Sequence, residues 1–310
     1  MAQPGSSSGN ATLTGPPGGL ASSVVLDTFQ KPPMTKAAVV HLASSNDPEN
    51  VAMVRHVISG IADTVGLGTR LTDDIKTAVS EACANVVLHA YRGAPGPLQV
   101  TIGVDPSGLT VIVRDRGEGI KPRRGEEEEH RVRGVGLSLI QTLTDSVEFR
   151  GAPREGTEVR MNFRVDREAG LAADQELSEQ ALEEIEGTVT GQTVVDVNPG
   201  QLAAPVLAAV IAVFAARASF SVERLAEAQL VTDAIAAHSN PMLAGSFLTM
   251  AIDSSGDRLD LRLGPLGIGD AERLVSATEV GQIKLLDVLT DEVGAAIAEG
   301  EEYLRLQMSA

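Results

Sequence analysis

The chain runs twice through one order of local signals, and that order restricts its fold more than any feature of its composition. TKAAVVHLA (Thr35 to Ala43) alternates and branches like a strand, and Asp47-Pro48-Glu49 opens a helix over Val51 to Val65. Leu71 to His89 then carries Ile75, Val79, Ala82, Val86 and Leu88 or His89 at helical spacing. LQVTIGVD and LTVIVRD alternate about Pro106-Ser107-Gly108 as a hairpin does, VGLSLIQTLTD reads as a helix, and VEFRGAPREGTEVRMNFRV is a second hairpin turning near Gly156. Such a series predicts an α+β sandwich, helices on one face of a mostly antiparallel sheet, closing near Asp166.

The same signals return in residues 187–310. TVVDVNP reads as a strand, a helix begins near Ala203, and FSVERLAEAQLVTDAIAAHS sets His238 opposite His89. Ser254-Ser255-Gly256 matches the turn at Pro106-Ser107-Gly108, LLDVLTDEV matches LIQTLTDSV, and GEEYLRLQM at Gly300 matches GTEVRMNFR at Gly156. The order argues for an internal duplication, and thus two tandem sandwiches. Residues 1–30 are rich in Gly, Ser and Pro and suit a disordered tail, while 167–186 form an acidic linker between the domains 31–166 and 187–310.

Composition excludes several classes. A lone cysteine, Cys83, rules out a disulfide framework or cysteine-rich metal site and fits a cytoplasmic protein. The apolar run Leu202 to Ala216 is too short to span a membrane, which takes roughly 20 residues, so it reads as a buried helix. Through Asp166 there are 17 Lys+Arg against 19 Asp+Glu, and beyond it 8 against 23. Phosphate backbones need a basic surface, so nucleic acid is a poor partner for the second half.

Four polar features interrupt the first half. Glu81 and Asn85 are one turn apart on the helix, hence on one face, where together they can hold a cation or an attacking group. Asp115-Arg116-Gly117-Glu118-Gly119 puts a carboxylate at a strand end before a glycine turn. Gly134-Val135-Gly136-Leu137 precedes a helix whose free N–H groups suit phosphate, and Gly156-Thr157 adds a small turn with a hydroxyl. Opposite Glu81, Asn85, Asp115 and Thr157 the second half places Leu230, Ala234, Leu263 and Glu301. Cys83 lies on the far side of the helix from Asn85 and belongs in the core, and His89 reads as a packed or capping residue.

The combination E-x-x-x-N, D-x-G-x-G, G-x-G-L and G-T resembles the ATP site of the GHKL ATPase and kinase superfamily, and AVSEACANVVLHAY is similar to its anti-sigma-factor serine/threonine kinases. The resemblance covers roughly residues 36–166 and implies the histidine-kinase-like ATPase fold. It implies that Asn85 coordinates Mg²⁺ and that Glu81 is the base toward a protein serine or threonine hydroxyl. Asp115 would bond the adenine amino group, Gly117 and Gly119 shape the pocket, Gly134, Val135, Gly136 and Leu137 meet phosphate, and Thr157 supports the adenine end. The stretch from Lys121 to Val132 is expected to be a mobile lid or loop. In it Glu126 to Glu129 would repel phosphate unless they face solvent, so that Arg131 and the adjoining Arg133 are the expected phosphate contacts.

The implied activity is ATP- and Mg²⁺-dependent phosphorylation of a STAS-domain anti-anti-sigma protein by a kinase that also binds a sigma factor. Alternatives are a nucleotide-dependent switch without transfer, or a histidine-kinase-related ATPase of another pathway. Kinases of this family are generally homodimers. The second half is therefore expected to replace one protomer, giving an internal pseudo-dimer, or else to survive as a decayed duplicate that covers apolar surface.

Overall fold

The computed structural model describes residues 37–119, 135–152, 155–165, 192–298 and 300–310. The expected tail, the lid with Arg131 and Arg133, Gly134 and the linker 167–186 lie outside them.

The first half begins with β1 (Ala38–Ser45) and α1 (Pro48–Val65). Asp47 caps α1 by accepting from the Glu49 N–H at 2.9 Å, Pro48 suits the first turn because it lacks the N–H that would go unpaired there, and Gly66 ends the helix at φ +77°. α2 (Thr69–Asn85), β2 (Pro97–Asp105), β3 (Gly108–Asp115), α3 (Val135–Leu143), β4 (Ser146–Ala152) and β5 (Gly156–Arg164) follow. The second half comprises β6 (Thr193–Val197), α4 (Ala203–Arg217), α5 (Val222–His238), β7 (Leu248–Ser255), β8 (Arg258–Leu266) and α6 (Asp270–Ala277). It continues with the short ribbon β9 (Glu279–Val280) and β10 (Ile283–Lys284), then α7 (Leu285–Leu289), β11 (Glu292–Ala298) and β12 (Glu301–Ser309).

The two halves share one sheet. Its order is β11-β12-β8-β7-β6-β1-β2-β3-β5-β4, and β1 pairs with β6 antiparallel, Val40 to Val197 and Leu42 to Val195. Read outward from that junction, each half has the same strand order. The expected helix-over-sheet layering is present, but the two sandwiches join edge to edge through β1 and β6, a long-range pairing that no local signal announces.

The helices pack on one face over a single aliphatic core. Met53, Val57, Ile58 and Ile61 of α1, Ile75, Val79 and Ala82 of α2 and Val206, Leu207, Val210 and Ile211 of α4 are all buried in it, with Val100, Ile102, Val111 and Met161 from the first-half strands and Met250, Ile252 and Leu304 from the second. α1 lies against α4 closely enough that a Cβ on Gly60 would stand 3.1 Å from the Pro205 carbonyl oxygen. Arg217 closes the same seam, donating to Asn50 at 3.0 Å and pairing with Glu49 at 2.9 Å. The apolar Leu202 to Ala216 run is thus accounted for by burial between α1, α5 and the sheet. Among the described residues no helix is long and apolar enough to cross a membrane.

Strand register corrects part of the sequence matching. Val40 pairs with Ile102 and Ile102 with Val111, while Val195 pairs with Met250 and Met250 with Leu263. Leu263 therefore stands in the place of Val111, and four residues further on Asp115 has its counterpart in Gly267. α2 and α5 are each 17 residues long and, aligned at their starts, set Ala234 opposite Glu81 and His238 opposite Asn85. The sequence matching was one turn out because residues i and i+4 share a helix face, so both alignments bury the same side of α5. Glu301 keeps its place opposite Thr157, each following a positive-φ glycine, Gly300 at +88° and Gly156 at +82°.

Candidate functional site

α2 carries Glu81 and Asn85, both half-buried, in its last turns. Directly after Asn85 the helix widens into one π turn, Val86–Ala90. Such turns insert a residue into the helical repeat and recur at functional sites. The inserted residue moves the buried position from Leu88 or His89 to Ala90. Leu88 is 66% exposed and Ala90 9%. His89 is exposed as well, so it is not packed in the core. Cys83 is fully buried, and burial pushes its thiol up to about 12, which leaves it inert at neutral pH.

The π turn meets the glycine turn after β3. Asp115 is buried at the strand end, and one carboxylate oxygen accepts the Gly117 N–H at 2.8 Å. A carboxylate retains further acceptor capacity after one such bond. Gly117 lies on Ala90, where a Cβ would come within 2.2 Å of the carbonyl oxygen, and the Glu118 N–H donates to that same oxygen at 3.0 Å. Gly119, at φ +68°, presses on Ala152, and a Cβ on Gly156 would stand 2.0 Å from the Asp115 carbonyl oxygen. These glycines are required by neighbouring backbone, a constraint that the pattern D-x-G-x-G does not reveal by itself.

Thr157 pairs directly with Asp115 across β3 and β5, with Val113 opposite Val159 two residues along. The period-two alternation of strands therefore points Asp115 and Thr157 to the helix-covered face. At the same strand ends an open cavity of about 290 Å³ is lined by Gln99, Arg114, Arg150 and Glu158, and also by Asp115, Gly156 and Thr157. Arg114 and Glu158 are paired there at 2.7 Å.

α3 closes the constellation. Gly136 sits in its first turn so near α2 that a Cβ would lie 2.6 Å from a carboxylate oxygen of Glu81. Leu137 packs on the core, and Val135 opens the helix. The structure thus gathers Glu81, Asn85, Asp115, Gly117, Gly119, Gly136 and Thr157 around the C-terminal end of α2. Among the described residues no three His, Cys, Asp or Glu form a metal cluster. One amide ligand fits Mg²⁺ none the less, because that ion commonly binds through one or two protein groups plus substrate phosphates.

Sequence reading missed Tyr91. Its hydroxyl donates to the Pro97 carbonyl at 2.6 Å and accepts the Arg116 N–H at 2.8 Å. Burial raises the phenol above its ordinary value and the Arg116 amide opposes that shift, so it stays protonated at neutral pH. A tyrosine closing an apolar helix just before Gly93-Ala94-Pro95-Gly96-Pro97 was the available signal.

Comparison with known proteins covers this half. The histidine kinase-like ATPase domain profile matches residues 44–163. Serine-protein kinase RsbW of Bacillus licheniformis is 36% identical over 128 residues, 37% of this chain and 80% of that protein. RsbW of Bacillus pumilus is 36% identical over 135 residues, 39% of this chain and 82% of its own length. RsbW of Bacillus mycoides is 31% identical over 146 residues, 44% and 90%. With these relatives, and with Glu81, Asn85, Asp115, Gly117, Gly119 and Gly136 about one helix end, the chain belongs to the anti-sigma-factor serine-protein kinases of the histidine kinase-like ATPase family.

Proposed function

We propose that the first half is an ATP- and Mg²⁺-dependent protein serine/threonine kinase that binds a sigma factor and phosphorylates a STAS-domain anti-anti-sigma protein. The observation that carries the reading is the closure of α3 on α2: Gly136 lies against Glu81, one turn from Asn85, at the end where Asp115 faces Thr157. A helix N-terminus beside a carboxylate and an amide supplies what phosphoryl transfer requires, which is positioning and charge balance.

Bound Mg²⁺-ATP supplies the transferable phosphoryl group and neutralises its charge. Asn85 is the residue that holds the metal, and Asp115 accepts from the adenine amino group with Thr157 beside it. The α3 N-terminus, with Val135 and Gly136, receives phosphate, as do Gly134, Arg131 and Arg133 of the preceding segment. Glu81 takes the proton from the incoming hydroxyl.

The second half takes the part of a second protomer without a nucleotide site of its own. Ala234 has no proton acceptor and Gly267 no carboxylate, while His238 is bonded back to the Ala234 carbonyl at 2.8 Å. The shared sheet and the α1–α4 seam support this pseudo-dimer reading. Transfer of γ-³²P from ATP to a STAS-domain protein, lost in Glu81→Ala and Asn85→Ala, tests the activity. Nucleotide binding without transfer would support the switch. Light scattering on the full chain tests the pseudo-dimer, since a stable dimer would argue against it.

A further inference from the structure

The glycine turn that carries Asp115 and the helix that carries Glu81 and Asn85 are fastened to each other at one place. Three consecutive residues following α2 make the connection. The Ala90 carbonyl accepts the Glu118 N–H at 3.0 Å. The Tyr91 hydroxyl accepts the Arg116 N–H at 2.8 Å while donating to Pro97 at 2.6 Å. The Arg92 guanidinium pairs with Glu118, donating to its carboxylate at 2.8 Å. Arg92 is held at φ +52°, a left-handed backbone that non-glycine residues adopt infrequently, so the connection outweighs a local cost. The Tyr91 ring has its own fitted place, for a Cβ on Gly96 would come within 2.3 Å of it.

We propose that Tyr91 is a positioning residue for the nucleotide site: its hydroxyl ties the start of β2 to the turn after β3 and sets Asp115 in register with Glu81 and Asn85. The inference rests on the ATP-site reading for its ligand, but its geometry stands without one. The π turn is what makes the tie possible, because it turns Ala90 inward and brings Ala90 and Tyr91 to the turn together. Tyr91 does not touch the reacting atoms in this role. It acts through the Arg116 and Gly117 backbone on Asp115, whose side chain already accepts from Gly117.

The test is Tyr91→Phe in the full-length protein, which keeps the ring and removes both hydroxyl bonds. Site-resolved amide exchange should rise about tenfold at Arg116 to Glu118, the order expected for losing one hydrogen bond, while amides in the middle of β2 stay as in the wild type. ATP affinity should fall about three- to tenfold by calorimetry, and the KM for ATP should rise with kcat nearly unchanged. Gly96→Ala, which keeps the hydroxyl but displaces the ring that carries it from Pro97 and Arg116, should reproduce the local exchange change.

Equal exchange and equal ATP affinity in Tyr91→Phe and wild type would overturn the proposal. So would a uniform rise through β2 and β3, which marks general destabilisation. A wild-type protein that fails to bind ATP would overturn the site reading, whereas unchanged exchange at Arg116 to Glu118 would overturn the Tyr91 tie even if ATP binds.

Discussion

His41 on β1 stands directly opposite Asp196 on β6, and the register of the two strands is symmetric about that pair. Each takes a threonine from its other neighbour: His41 Nδ1 is 3.0 Å from the Thr101 hydroxyl, and Asp196 accepts from Thr249. An imidazole and a carboxylate, both more than nine-tenths buried, therefore sit at the centre of the ten-stranded sheet, on the face away from the helices.

Stability should depend on pH through His41. Burial first, and Arg114 second, lower its pKa from 6.5 to about 4. The folded state thus prefers the neutral ring, so the stabilisation is fully present above pH 6.5 and is lost as pH falls toward 4. Asp196 acts oppositely: burial raises its pKa, against the Thr249 bond, so its cost is relieved on acidification. Urea midpoints should fall between pH 7 and pH 5 in the wild type, and the full His41 contribution is about 2 kcal/mol after solvent screening. His41→Gln should flatten that slope; an unchanged slope would assign it to other groups.

Gly136→Ala should impair chemistry more than folding. The added methyl meets the flexible end of Glu81, which can move, so thermal stability should change little. A displaced base should slow phosphoryl transfer about tenfold or more, and Glu81→Gln should slow it about 10²–10⁴-fold with ATP affinity retained. Single-turnover transfer beside calorimetric binding separates the two effects.

Gly156→Ala should destabilise the protein outright. Its φ of +82° disfavours a side chain, and the methyl would press on rigid backbone at Asp115. The expected cost is about 2–4 kcal/mol, measured as a lowered urea midpoint, with ATP binding weakened because Asp115 shifts.

Leu207→Ala probes whether the halves fold together. Leu207 is fully buried on α4 in the core shared with α1. The loss should be about 2–5 kcal/mol, and calorimetry should show one transition moved down, with ATP binding lost over the same range. Two separate transitions would show that the halves unfold independently.

The strands and hairpins were legible because strict alternation has few other meanings, as in LTVIVRD. The π turn was not: Val86, Val87 and Leu88 satisfy either helical repeat, so periodicity could not choose Ala90 over Leu88. Glu81, Asn85, Asp115 and Thr157 stood out as polar residues in apolar surroundings, and the structure groups them. Tyr91 did not stand out, because a tyrosine ending an apolar helix reads as core until its hydroxyl partners are seen. The β1–β6 pairing was hidden for a different reason. VVHLA and TVVDV each read as a strand, but neither contains information about its neighbour.

That junction also bears on how the protein responds to its own abundance. Because β6 reaches β1 on the same polypeptide, the two strands meet at an effective concentration of about the millimolar order, set by the chain rather than by copy number. Assembly between separate chains weakens on dilution. Here the ten-stranded sheet closes within one chain, so its β1–β6 pairing does not weaken on dilution.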